Sequence, residues 1–328
     1  SKPMATRPGP GPVLAIGLLL AAVPACVHPA PGDRRHAADA AAVPGPDPRT
    51  LAAQRLERVA VLGASVADGF GLALELSGEQ RSLADFLAAA ERDGSQRTRL
   101  DLADHLLFLQ AEPAASAQIE AAAGFQPTLV LAPDLLFWFV YGDRREAERA
   151  AALERGLALI DGLRARLDAP IVLGDVPDMS AASELMLPRR LRPRAATLAN
   201  ANRRLSGWAA ERDDVVLVPL ADLAAALSEG GPLAGPGWSI DPDRSGELLQ
   251  ADGLHPTVLG TALLLKLCFE ALADRDARLQ GSGAQGRSAG AEREAWSAAY
   301  SALLELDPEL LAQRVVSAAA AARLQAPR

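Results

Sequence analysis

The stretch "VAVLGASVADGFG" (Val59–Gly71) passes from an apolar, partly β-branched run into Gly63, Ala64 and Ser65, and then turns polar. An apolar run closed by glycine is the pattern of a buried strand, and it places Ser65 in the turn beyond that strand's carboxyl end. In an open parallel sheet this crevice is where ligands bind. Taken alone, the stretch fits two descriptions of Ser65. It is either the N-cap of a following helix, or a nucleophile whose oxyanion would face that helix's first N–H groups.

Further runs resemble the first: "TLVLA" (128–132), "PIVLG" (170–174) and "DVVLVPL" (214–220), with "QRTRLDLA" (96–103) as a weaker candidate between the first two. Long amphipathic segments at 143–168, 194–213 and 257–279 separate or follow them. Strands alternating with helices predict a parallel sheet covered on both faces.

The 328 residues carry a formal charge of -8, so there is no basic footprint for nucleic acid, and 49% hydrophobic content is enough for a sizeable core. Residues 1–26 read as a signal peptide, with Arg7 ahead of the apolar run "VLAIGLLLAAV" and the small-residue ending "VPAC". That ending resembles a bacterial lipobox, with Cys26 as the lipidated residue and Pro24 as a departure from it. A lipoprotein tethered to the membrane through Cys26 and a freely secreted protein both fit, and both place the chain in or on the cell envelope. Cys268, inside "LLLKLCFE", then reads as a buried helical thiol. Residues 27–50 form a Pro/Ala-rich tether, 51–279 the folded domain, and 280–328 a Gly/Ser linker followed by an alanine-rich helical tail. The sequence decides neither where that tail docks nor the oligomeric state.

A reactive serine needs a base, and the chain has four histidines. His28 and His36 lie in the tether, and His105 lies in "LADHLLFLQ", on or beside a helix. His255 stands in a short polar loop, "QADGLHPT" (250–257), three residues after Asp252. A carboxylate on one side of an imidazole and a serine on the other is the arrangement that activates a hydroxyl. The plainer description is a capping loop, in which Asp252-Gly253 makes a turn and Pro256-Thr257 starts a helix. A metal would need ligands such as Asp134, Asp175 or Asp178 beside His255. No second histidine stands at ligand spacing, so neither metal nor organic cofactor is expected.

Together "VLGASVADGFG" and "DGLHPT" resemble the first and last motif blocks of the SGNH, or GDSL-type, hydrolase superfamily, over roughly residues 56–279. The resemblance implies a three-layer α/β/α sandwich with a mostly parallel, flavodoxin-like sheet. It also implies a Ser65, Asp252 and His255 triad that cleaves or transfers an acyl ester. The substrate would be an ester-bearing small molecule, a lipid or an envelope glycan. The alternative is a catalytically weak or inactive binding or scaffold protein with the same fold.

Several positions depart from the family pattern. Ala64 stands where the family has aspartate. The middle blocks of the family supply oxyanion donors from a glycine N–H and an asparagine side chain. In "VLAPDLLFWFVYGD" Pro133 stands in the asparagine's place and Asp134 in that of the following aspartate, while Gly94 comes too early for the glycine block. Neither proline nor an ionised carboxylate donates a hydrogen bond. The oxyanion is then expected to rest on the Ser65 N–H and neighbouring backbone such as Gly63, or on another side chain. Asp134 reads either as a substrate contact or as the N-cap of "LLFWFVYG". The cluster of Phe137, Trp138, Phe139 and Tyr141 reads either as an acyl pocket or as core.

Overall fold

The computed structural model describes residues 47–92, 94, 97–229, 233–235, 238–281 and 288–325. The expected leader with Cys26, residues 27–46 of the tether and most of the Gly/Ser linker lie outside them.

Asp47 opens the folded part inside the segment read as tether. Its side chain accepts the N–H of Thr50 and caps α1 (Pro48–Arg55), with proline at the helix start where no N–H is needed. The elements then run β1 (Arg58–Val61), α2 (Leu72–Glu75), α3 (Leu83–Ala90), β2 (Thr98–Asp101), α4 (Ala111–Phe125), β3 (Leu129–Ala132) and α5 (Phe137–Val140). After these come α6 (Glu146–Arg164), β4 (Ile171–Gly174), α7 (Ala195–Ala210), β5 (Val215–Val218) and α8 (Leu220–Glu229). A small antiparallel ribbon of β6 (Leu233–Gly235) and β7 (Trp238–Ile240) precedes α9 (Val258–Gly281), α10 (Ala289–Leu303) and α11 (Pro308–Gln325).

The five main strands pair in parallel in the order β2-β1-β3-β4-β5, which is the flavodoxin-like order. Side chains alternate across the sheet. Val59, Val61, Leu129, Leu131 and Val216 enter one core with residues of α1, α3, α9, α10 and α11. Ala60, Leu62, Val130, Ala132 and Leu173 enter the other with residues of α4, α6 and α7. Helices thus cover both faces, and the architecture is a three-layer α/β/α sandwich. β2 sits at the edge of the sheet and none of its residues is fully buried, which is why its sequence is polar and its strand signal weak. From β1 the chain crosses to β2 on one side and then to β3 on the other. Ser65 follows β1 and Asp134 follows β3, so both lie at the switch point between those two strands.

The alanine-rich tail completes one of the two cores. Trp296 and Tyr300 of α10 are buried, and the Tyr300 hydroxyl donates to Asp276 Oδ2 at 2.8 Å. Arg275 and Arg55 also donate to the Asp276 carboxylate, at 2.6 and 3.3 Å, so α1, α9 and α10 meet at one buried ion cluster. Beyond α10, the Arg92 N–H donates to Leu303 O and the Glu305 N–H to Ala90 O, at 3.0 and 2.6 Å. Cys268 lies in this core as a fully buried thiol, and burial pushes its pKa up to about 12. Truncating Trp296 to alanine is expected to lower the unfolding free energy by about 3–5 kcal/mol. Urea denaturation measures it, and an unchanged midpoint would make the tail an accessory rather than part of the core.

Candidate active site

Pairing between β1 and β3 continues one residue past the strand, where the Leu62 N–H donates to Leu131 O at 2.9 Å. The chain then turns at Gly63, whose φ of 147° is a conformation that side-chain-bearing residues rarely adopt. A Cβ there would lie 2.1 Å from Asp134 Oδ1. Gln118 of α4 clamps the same peptide from both sides: the Gly63 N–H donates to its Oε1, and its Nε2 donates to Gly63 O, each at 2.9 Å. Beyond Gly63, the Asp134 carboxylate accepts the N–H groups of Ala64 (3.0 Å), Val66 (2.8 Å) and Ala67 (3.4 Å). Burial raises the Asp134 pKa, these N–H bonds oppose it, and the balance stays above the usual carboxylate range.

Three expectations change as a result. Gly63 donates to Gln118 rather than to an oxyanion. Asp134 is 7% exposed and holds the turn that carries Ser65, while α5 begins only at Phe137 with Leu136 before it. Ser65 caps no helix: turns through Gly69 and Gly71, with φ of 74° and 83°, delay α2 until Leu72. Among the described residues the Ser65 N–H has no acceptor, whereas those of Ala64, Val66 and Ala67 are occupied.

The loop before α9 brings Asp252 and His255 to Ser65. His255 Nδ1 lies 2.7 Å from Asp252 Oδ2, and His255 Nε2 lies 3.0 Å from Ser65 Oγ. Asp252 Oδ1 accepts the N–H groups of Leu254 and His255 at 2.8 and 3.0 Å, while Gly253, with φ of 65°, makes the turn. Capping and imidazole orientation therefore coexist, one on each carboxylate oxygen. Burial pushes the Asp252 carboxyl up, but the His255 ring and the two backbone N–H groups outweigh it. The carboxyl is held below its usual range and stays ionised. Thr257 Oγ accepts the Gly260 N–H at 3.1 Å and starts α9.

Gln250, which the sequence did not mark, ties this loop to the serine side. Its Nε2 donates to Phe70 O and to Pro256 O, both at 2.8 Å, and its N–H donates to His255 O at 2.8 Å. A Cβ on Gly71 would lie 2.2 Å from its Oε1. Nothing in spacing or composition marks such a bridge, because it joins segments far apart in the chain.

A cavity of about 550 Å³ opens over the serine, lined by Ser65, His255, Phe70, Phe108, Trp138 and Leu185 among others. A smaller one behind it, about 60 Å³, is bounded by Asp134, Phe137, Trp138 and Leu220. The aromatic cluster divides between cavity wall and core. Trp138 and Phe137 line the cavities, whereas Phe139 and Tyr141 are buried in the core, where the Tyr141 hydroxyl donates to Pro177 O at 2.9 Å. The other strand-end carboxylates bond backbone elsewhere: Asp175 accepts the Ala221 N–H at the start of α8 at 2.7 Å, and Asp178 the Ser180 N–H of its own turn at 2.9 Å. His105 opens a short 3-10 segment (His105–Leu109) after β2 and also lines the large cavity.

No protein-family model and no curated protein matches the chain. Among solved structures it is similar to a Bacteroides fragilis protein described as an acylhydrolase, at 14% identity over 68% of this chain and 88% of that one, with a TM-score of 0.41. It is similar to TesA at 19% identity over 66% of this chain and 97% of that one, with a TM-score of 0.37. A gut microbial diltiazem-metabolizing enzyme is 12% identical over 66% of this chain and 46% of that one, with a TM-score of 0.43. At such distances the chemistry has to be read from the site itself.

Replacing Gly63 with alanine forces a Cβ into Asp134 and a strained backbone, with an expected stability loss of about 1–3 kcal/mol. The same change should slow reaction of Ser65 with an active-site phosphonate, measured as a labelling rate on the folded variant. An unchanged rate would remove Gly63 from any part in setting the serine's position.

Proposed function

We propose that this chain is a serine hydrolase that cleaves acyl esters, with Ser65 as nucleophile, His255 as general base and acid, and Asp252 as the group that orients the imidazole. The observation that carries the proposal is the hydrogen-bonded line from Asp252 Oδ2 through both His255 nitrogens to Ser65 Oγ, 2.7 and 3.0 Å long, at the floor of an open cavity. Both distances lie within reach of proton transfer.

The ionised Asp252 accepts the Nδ1–H, which leaves the Nε2 lone pair facing the serine hydroxyl. As Oγ attacks the acyl carbon, its proton passes to Nε2, and the imidazolium is stabilised by Asp252. That proton then goes to the departing alkoxide, leaving an acyl-serine. Water enters with the same base assistance and releases the acid. Acyl transfer differs only in that a sugar or other hydroxyl replaces the water. The Ser65 N–H supports the developing oxyanion, being the donor that Asp134 leaves open in the turn. Lacking the asparagine side chain that Pro133 replaces, such a site is expected to turn over about two to three orders of magnitude more slowly than one with a full set of donors. That same lack is what favours the competing scaffold reading. The exported setting in this proposal rests on the sequence of residues 4–26 alone.

A fluorophosphonate probe tests the assignment. The parent chain is expected to label, Ser65→Ala not to label, and His255→Ala to label far more slowly. Folded parent protein that shows no Ser65-dependent labelling would decide for the scaffold. Asp252→Asn should fold normally and lose about three to four orders of magnitude in ester turnover, because the tautomer is no longer held.

A further inference from the structure

Two histidines line the large cavity, and each forms a pair with a carboxylate. One is His255 with Asp252. The other joins Asp68, three residues after Ser65 in the nucleophile turn, to His105 at the start of the 3-10 segment, with Nδ1 2.7 Å from Asp68 Oδ2. Both partners are held in place. Gln80 Nε2 donates to Asp68 O and Gly69 O at 2.8 Å, and Asp104 caps the 3-10 segment by accepting the Leu106 N–H at 2.8 Å. The Phe70 ring packs against both histidines, with centroids 4.7 Å from His255 and 5.8 Å from His105.

A half-exposed His–Asp pair on an open surface adds little to stability. The His105 member of this pair instead lines a cavity whose other lining is mainly Phe70, Leu106, Phe108, Trp138, Leu185 and Leu191. The remaining polar side chains of the wall are Ser65, His255 and Arg190, and Arg190 reaches Asp143 at 3.5 Å. Asp68 engages Nδ1, which places the proton there and leaves Nε2 as an acceptor, and Nε2 has no partner among the described residues. A substrate group that cannot donate would leave that nitrogen desolvated and unpaired, whereas a hydroxyl would satisfy it.

Resting on the hydrolase reading above, we infer that His105, oriented by Asp68, is a specificity-determining residue that accepts a hydrogen bond from a free hydroxyl in the alcohol part of the substrate. The substrate class is then an acyl ester of a polyol, glycerol or sugar, with its acyl chain along the apolar wall. Asp68 acts through His105 and is a positioning residue.

The test compares kcat/KM of the full chain on glyceryl monobutyrate and propyl butyrate, which share the acyl group and differ in two hydroxyls. The parent is expected to prefer the glyceryl ester by about tenfold. His105→Phe should bring that ratio to near one. His105→Gln keeps an acceptor and should retain part of the preference, and Asp68→Asn should fall between parent and His105→Phe. A parent with no preference, or a His105→Phe variant that loses both esters in equal proportion, overturns the inference. If Ser65 still labels with the fluorophosphonate in that case, the hydrolase reading stands without it. Absence of labelling in the parent overturns both.

Discussion

The Asp134 carboxylate, buried beyond β3, accepts three backbone N–H groups from the turn that carries Ser65, and the shape of that turn follows from keeping those bonds. An unpaired buried carboxylate costs several kcal/mol, so any movement of the turn that breaks the bonds is resisted by that cost. Gly63 is required for the same reason, since any side chain there would occupy the space of Oδ1. Gln118 of α4 adds a two-point hydrogen bond to the Gly63 N–H and carbonyl. The serine is thus presented by β1, β3 and α4 together rather than by the start of a helix.

This arrangement has an electrostatic consequence. The carboxylate occupies the amides on both sides of the serine and, among the described residues, leaves the Ser65 N–H without an acceptor. Pro133, which has no N–H, donates nothing to the turn. Its carbonyl instead accepts the Gly174 N–H at 3.1 Å and extends the pairing of β3 with β4. The position therefore contributes to the sheet end.

The parts of the molecule governed by local pattern were legible in the chain. The central strands announced themselves because both faces of β1, β3, β4 and β5 are covered, which makes them continuous apolar runs. β2, exposed at the edge, was correspondingly faint. "DGLHPT" could be read because Asp252, Gly253 and His255 act on one another within a few residues. The role of Asp134 was not legible, because its partners lie some seventy residues earlier and a carboxylate after a strand looks the same whether it caps, binds or braces. His105 was set aside for a similar reason: only the fold brings it to Asp68. Gln250 has no local signature at all, being an amide that joins two loops.

The docking of α10 and α11 on α1, α3 and α9 makes residues 288–325 a structural partner of the segment that opens at Asp47, far away in sequence. Without α10 and α11 the apolar side of the sheet formed by Val59, Val61, Leu129 and Leu131 lacks part of its cover. Closure of this core therefore depends on contacts between segments far apart in sequence, and a chain cut ahead of α10 would carry an exposed hydrophobic surface suited to recognition by chaperones or proteases.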